Sequence, residues 1–325
     1  MTYVTPQQAW VRSLKREVTI LTLVFMGLQV LTNLFSVAVF AVFSGSLSAP
    51  AASSAVSPIG DRLALMQSIM LYFFMFALPI GFYFLITYRQ PAGEYFKCGR
   101  PKFWYTAGGA FGVVAINYVA SILSDAGDLL FHRAGLLESA GGMYAITDDP
   151  VNNLLVLFAL VIFPAFMEEF VFRGIIAGRL GLYNKGMAVV VSALLFGLIH
   201  MTVEQIPFAV CAGLLLGYVY LKTQSIWSVV IIHAVNNLMS YISMYWSART
   251  GDAFLAERNF MILFAGLFVV GFISLVVMAV RHRRASKDPL PFGRAVSAAV
   301  LHPAFITVAV LCLGIAAAVS ALGIL

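Results

Sequence analysis

Residues 151–173 read VNNLLVLFALVIFPAFMEEFVFR, an apolar run that ends in charged residues. Up to Met167 the run carries no charge, and about 20 such residues in an α-helix cross the roughly 30 Å hydrocarbon core of a bilayer. Glu168, Glu169 and Arg173 then follow in the same helix, although each charge at the centre of a membrane helix costs about 2.5–3.5 kcal/mol. The run therefore predicts a membrane helix whose charged end has partners or a chemical function.

The composition of the whole chain indicates the same class of protein. Of its 325 residues, 61% are hydrophobic and 10% are charged, whereas soluble domains are about 45–50% apolar and about 25% charged. Because a globule of this size cannot bury so much apolar surface, the composition excludes a soluble enzyme, a disordered chain and a nucleic-acid binder. Cys98, Cys211 and Cys312 are too far apart in the sequence to indicate a disulfide framework or a thiolate zinc site.

Apolar runs of similar length recur along the chain and predict an all-α, polytopic integral membrane protein. We expect about nine transmembrane helices, with eight as the alternative count. The expected spans are residues 18–43, 63–87, 103–123, 151–171, 187–203, 205–221, 226–246, 260–280 and 303–325.

The distribution of Lys and Arg predicts the orientation of these spans. If the N-terminus is cytoplasmic, 16 of the 20 Lys and Arg residues fall on the cytoplasmic side, and only Arg62, Arg133, Arg249 and Arg258 fall outside. This asymmetry follows the positive-inside rule. We therefore expect a multi-pass protein of the cell membrane with its N-terminus in the cytoplasm and its C-terminus outside.

The two adjacent glutamates have different expected roles. Glu169 and Arg173 are four residues apart and about 40° apart around a helix, with the acid first, which favours an ion pair. We interpret that pair as structural. Glu168 points about 100° away from Glu169 and has no partner on its own helix. Glu168 is therefore the candidate general base or acid.

Two histidines and an asparagine are the other candidate site residues inside the expected spans. His233 and Asn237 are four residues apart and share a helix face, so both side chains can reach one point. His200 follows Phe196 by one turn, and this ring can shield the imidazole from lipid. Pro164, one turn before the glutamates, frees a backbone carbonyl and favours a kink that opens a polar cavity. A single histidine in a membrane helix is more often a packing residue. An unpaired glutamate, two histidines and an asparagine within a few helices together favour a functional site.

The same residues form three motifs that resemble a known family. The chain has no His-Glu-x-x-His zinc helix, no Gly-x-Ser-x-Gly elbow within a span and no Gly-x-Gly-Asp aspartyl motif. It does have Glu-Glu-x-x-x-Arg at 168–173, Phe-x-x-x-His at 196–200 and His-x-x-x-Asn at 233–237. In this order the motifs resemble those of the CAAX-protease and bacteriocin-processing (CPBP, or Abi) intramembrane proteases, over about residues 150–245.

The resemblance implies an intramembrane endopeptidase that acts on a membrane-embedded or lipid-associated peptide or protein. Carried onto this chain, Glu168 with His200 would activate water, and His233 with Asn237 would form the oxyanion site. The resemblance also suggests the domain division. Residues 1–150 would be N-terminal membrane helices and loops, 151–246 the catalytic core, and 247–325 C-terminal helices.

Two alternatives stay open, one for the cofactor and one for the function. We name no cofactor as required, but the family has also been described as zinc-dependent. If zinc is present, its ligands would be Glu168, His200 and His233. A zinc-bound Glu168 would leave only Glu169 as base, and Glu169 is expected to pair with Arg173. The alternative function is a non-catalytic scaffold or a transporter that uses the buried Glu/His cluster, although the chain shows no inverted repeat.

The expected spans also place the candidate residues at different depths. Glu168 and His233 fall in the cytoplasmic third of the membrane. A fifth span over 187–203 would place His200 about 20 Å from the same face at 1.5 Å per residue. Asn117, in the third span, is interpreted as an interhelical hydrogen-bonding residue.

Overall fold

The fold is seen in a computed structural model that describes most of the chain. The described residues are 5–32, 58–87, 96–133, 146–203, 205–250, 253–280 and 288–322. Within these ranges the protein is helical and contains no β-strand, so the all-α prediction is confirmed.

Ten helices can be followed in chain order through the described residues. They are α1 (Pro6–Leu21, continued by a π-helical turn over Thr22–Gly27), α2 (Pro58–Thr87), α3 (Phe103–Arg133), α4 (Pro150–Leu180), α5 (Lys185–Leu198), α6 (Gln205–Thr223), α7 (Ile226–Thr250), α8 (Ala253–Val280), α9 (Phe292–Val300) and α10 (Pro303–Leu322).

The chain is a multi-pass membrane protein. Among the described residues, four segments are long and apolar enough to cross a membrane, and they lie in α2, α4, α6 and α7. A fifth candidate is the pair formed by α9 and the first part of α10, which meet at a bend of 60°. The count of nine spans stays a prediction, and residues 33–43 of the first expected span lie outside the described residues.

The fifth expected span is shorter than the sequence indicated. Helix α5 begins after Asn184, whose side-chain oxygen accepts a hydrogen bond from the Met187 N–H at 2.8 Å, and it ends at Leu198. Fourteen residues extend only about 21 Å, which is less than the hydrocarbon core. The chain then turns, and Met201 adopts a positive φ of 50°. His200 therefore lies at the end of a short helix and not within a long one.

Helix α4 departs from regular α geometry on both sides of the two glutamates. Pro164 has no N–H to donate to the preceding turn, and a π-helical segment over Phe158–Ile162 comes just before it. A second π-helical segment, Phe170–Ala177, follows the glutamates. Such segments insert an extra residue into a helix and are frequent at functional sites.

Both ends of α4 are held by ion pairs to other helices. Asp149 accepts a hydrogen bond from the Val151 N–H at 3.0 Å and pairs with Arg62 of α2 at 2.5 Å. Partial desolvation opposes ionisation of Asp149, but these hydrogen bonds outweigh it and hold the pKa of Asp149 below its ordinary value. At the other end, Arg179 pairs with Glu17 of α1 at 2.5 Å, and both side chains are buried.

Helices α5 and α6 approach closely beside the charged end of α4. A Cβ atom on Gly213 of α6 would lie 3.0 Å from Cα of Ala193 in α5, so a larger residue would push the two helices apart. The same glycine exposes its carbonyl oxygen to Arg173 at 3.4 Å. Close helix packing therefore provides an acceptor for a buried guanidinium.

Candidate active site

The four candidate catalytic residues line one cavity. Its volume is about 540 Å³, and its walls come from helices α2 to α7 and from Gln29, which follows the π-helical turn after α1. Glu168, His200, His233 and Asn237 all contribute to the wall. His200 and Glu168 therefore line the same cavity, although the expected spans placed them at different depths in the membrane.

The ion pair behind the cavity has the geometry expected of the i, i+4 spacing. Arg173 Nη1 donates to Glu169 Oε1 at 2.6 Å, and both side chains are fully buried. The guanidinium carbon of Arg173 also lies 4.3 Å from the ring centroid of Phe196, a cation–π distance. Neither member of the pair lines the cavity.

Glu169 has a second contact that the sequence interpretation missed. His233 Nδ1 lies 2.8 Å from Glu169 Oε1, the oxygen that also accepts from Arg173. Because an ionised carboxylate only accepts, Nδ1 carries the hydrogen in this contact. The other ring nitrogen, Nε2, then lies on the side of Glu168, 3.8 Å from its Oε2. A buried histidine requires a partner, but the sequence could not show which acid provides it.

Glu168 is held from a different helix. Its Oε1 accepts a hydrogen bond from the hydroxyl of Tyr72 in α2, while its Oε2 has no hydrogen-bond partner within the described part of the chain. The sequence interpretation found no partner for Glu168 on its own helix and missed Tyr72. Tyr72 is the one aromatic residue with a hydroxyl in the run LYFFMF, residues 71–76, but nothing in the sequence indicates that it faces Glu168.

His200 is oriented by the last turn of α5. Its Nδ1 lies 2.9 Å from the carbonyl oxygen of Phe196, which can only accept, so Nδ1 carries the hydrogen. In the neutral ring, Nε2 is then free of hydrogen and can take a proton. The Phe196 ring meets the rings of both His200 and His233 edge to face, with centroids 5.2 and 5.7 Å apart. Phe196 therefore packs against both histidines and Arg173.

Asn237 is the end of a chain of three amides. Asn117 of α3 donates to the side-chain oxygen of Asn236, and Asn236 donates to the side-chain oxygen of Asn237 at 3.0 Å. With its oxygen engaged, Asn237 has its NH₂ group available as a donor. All three amides line the cavity. Asn117 therefore makes the interhelical bond expected of it, at the wall of the site.

The residues named as zinc ligands do not meet as a ligand set. Among the residues that the structure describes, no three His, Cys, Asp or Glu side chains are placed to hold a metal ion. Nε2 of His233 lies 3.8 Å from Oε2 of Glu168, but within the described part of the chain no third ligand completes a set with them. For that reason no step of the chemistry below passes through a metal.

Part of the chain is similar to a known protein family. Residues 150–239 match the family model described as type II CAAX prenyl endopeptidase Rce1-like. This chain carries an Rce1-like segment. The resemblance to CAAX-type intramembrane proteases is thereby confirmed, and at the family level it supports an intramembrane endopeptidase. No curated protein and no solved structure matches the chain.

The Rce1-like segment contains part of the cavity wall. Glu168, His200, His233 and Asn237 all lie within it, as do the three motifs. Two residues that support them do not. Tyr72, which donates to Glu168, and Asn117, which donates to Asn236 at the start of the amide chain, belong to helices that precede the segment. The geometry of the site therefore depends on parts of the chain that the family match does not cover.

Proposed function

We propose that this protein is an intramembrane endopeptidase that hydrolyses a peptide bond of a membrane-embedded or lipid-associated protein or peptide. Water is activated by Glu168 and His200, and His233 with Asn237 binds the oxyanion. The observation that supports this proposal is the shared cavity. Four polar side chains from three separate motifs line one space between membrane helices, where each buried polar group needs a reason.

One proton of the water passes to Oε2 of Glu168, and Nε2 of His200 accepts a hydrogen bond from the other O–H. Each of these two atoms is left able to accept by the contact that its residue makes elsewhere. The hydroxide attacks the carbonyl carbon of the scissile bond, and the tetrahedral intermediate then loses the amine. The proton taken from water returns to the leaving nitrogen, so the residues end as they began.

The oxyanion is bound by donors on α7. The amide NH₂ of Asn237 is one, and Nε2 of His233 is the other. Because Nδ1–H of His233 is directed at Glu169, Nε2 can donate only when the ring carries both protons. The proposal therefore requires His233 as an imidazolium when the intermediate forms, with Glu169 as the carboxylate beside it.

The proposal is tested by the peptides that accumulate in membranes. Cells that express wild type, Glu168→Gln or Asp148→Asn at equal levels are compared by mass spectrometry of their membrane peptides. Asp148 is a matched carboxylate control because its side chain is fully exposed. Cleavage products should appear with wild type and Asp148→Asn and be absent with Glu168→Gln. Identical peptides from all three would contradict the proposal and favour a scaffold or transporter.

A further inference from the structure

We propose that Tyr72 is a positioning residue for the reaction, acting through Glu168. Its hydroxyl holds Oε1 of the carboxylate, so that Oε2 is the oxygen that accepts the proton of water. This inference rests on the proposed function, since it concerns the same base. It assigns a role to α2, which lies outside the Rce1-like segment.

The Tyr72 ring is fixed by its aromatic neighbours. It packs against Phe76 of the same helix, with ring centroids 5.0 Å apart, and against Phe163 of α4, with centroids 5.6 Å apart. Phe163 lies five residues before Glu168 on the same helix. The hydroxyl therefore reaches the carboxylate from a ring that is packed against the helix carrying it.

The two oxygens of Glu168 have different surroundings. Oε1 accepts the Tyr72 hydrogen bond, and Oε2 has no hydrogen-bond partner among the described residues. Nε2 of His233 lies 3.8 Å from Oε2, which is too far for a hydrogen bond. Tyr72 and Glu168 both line the cavity, and Oε2 is the buried oxygen of Glu168 whose capacity to accept is not used by the described residues.

The Tyr72 hydrogen bond fixes the direction of the base. A hydroxyl that donates to a carboxylate makes a stronger hydrogen bond than one between neutral groups, so it restricts rotation of the Glu168 side chain. This restriction keeps one oxygen directed at the reacting water. Loss of the hydroxyl therefore lowers the alignment of the base.

The test compares wild type, Tyr72→Phe and Tyr83→Phe as purified full-length proteins in liposomes. Tyr83 is a matched control because it lies on the same helix, is fully buried and is not part of the cavity wall. The probe is a fluorogenic peptide that spans a cleavage site present with wild type and absent with Glu168→Gln. Folding of each variant is checked by thermal unfolding.

We expect Tyr72→Phe to lower kcat about 10- to 100-fold near neutral pH, with KM changed less than about 3-fold. The loss should fall on kcat because Tyr72 acts on the base and not on the bound substrate. Neither substitution changes His200, His233 or the Glu169–Arg173 pair around Glu168. Tyr83→Phe should match wild type in both kcat and KM.

A variant that keeps the hydroxyl separates its role from that of the ring. Replacing Tyr72 by 3-fluorotyrosine preserves both the shape and the donor, so kcat should stay within about 3-fold of wild type. If wild type cleaves and Tyr72→Phe keeps its kcat, or the 3-fluorotyrosine protein loses as much kcat as Tyr72→Phe, the inference is overturned. If wild type cleaves no peptide that Glu168→Gln spares, it is the proposed function that fails.

Discussion

His233 Nδ1 lies 2.8 Å from Glu169 Oε1, so the carboxylate that pairs with Arg173 also orients a histidine of the cavity. The Glu169–Arg173 pair was expected to be purely structural. The contact with His233 links the pair to the site, because it determines which nitrogen of the ring can reach a substrate. Stability and activity should therefore both depend on Glu169.

Replacing Glu169 by Ala should lower stability. The substitution leaves the Arg173 guanidinium buried without its acid, and breaking such a pair typically costs about 3–5 kcal/mol. Thermal unfolding in detergent measures the loss, with Asp148→Ala as the exposed control. The exchange Glu169→Arg with Arg173→Glu should recover part of the stability and none of the activity, since His233 stays without its acceptor. A Glu169→Ala protein as stable as wild type would contradict the pairing.

The amide chain predicts a graded loss of rate. Asn237→Ala removes an oxyanion donor and should lower kcat about 100- to 1,000-fold. Asn117→Leu leaves the donor but removes the first hydrogen bond of the chain, so its loss should be smaller, about 3- to 30-fold. Both are measured as kcat on the same peptide. A loss for Asn117→Leu as large as that for Asn237→Ala would assign Asn117 a direct role.

Metal removal should leave the activity intact. We expect the purified protein to contain well under one equivalent of zinc by elemental analysis and to cleave its peptide after dialysis against a strong chelator. The reason is chemical, since zinc would occupy Glu168, the carboxylate proposed as base. Stoichiometric zinc that is lost with activity and restores it on addition would refute the proposed mechanism.

The Asp149–Arg62 pair predicts a pH dependence of stability. The bonds from Arg62 and the Val151 N–H hold the pKa of Asp149 in the folded protein below its ordinary value of 3.8. The pair therefore stabilises the fold at pH above about 3.8, and this stability is lost as the pH falls through the folded pKa. The difference in melting temperature between wild type and Asp149→Asn should be constant from pH 7 to 5 and shrink below pH 4. A difference that grows with acidity would show the opposite linkage.

The orientation of the chain can be tested with reporter fusions. Fusions at residues 98, 140, 285 and 325 should report inside, outside, inside and outside, following the charge asymmetry of the loops. A cytoplasmic signal at 325 would remove the last span from the predicted nine.

The class of fold and the polar residues that line the cavity could be predicted from local sequence. Apolar runs predict helices because the bilayer requires every backbone group to bond within its own segment. The spacing of Glu169 and Arg173 predicts their contact because residues four apart lie on one helix face. Glu168, His200, His233 and Asn237 were distinguishable because polar groups are rare in apolar runs.

The partners of these residues were decided by tertiary structure alone. Tyr72 is 96 residues from Glu168, and Glu169 is 64 residues from His233, so no helical periodicity relates them. The end of α5 at Leu198 was likewise not predicted. The sequence after Leu198 stays mostly apolar, and hydropathy does not show that the chain turns there. Hydropathy reports how each residue is solvated, whereas a contact between helices depends on how they pack. The atoms that remain free to act on a substrate are set by that packing.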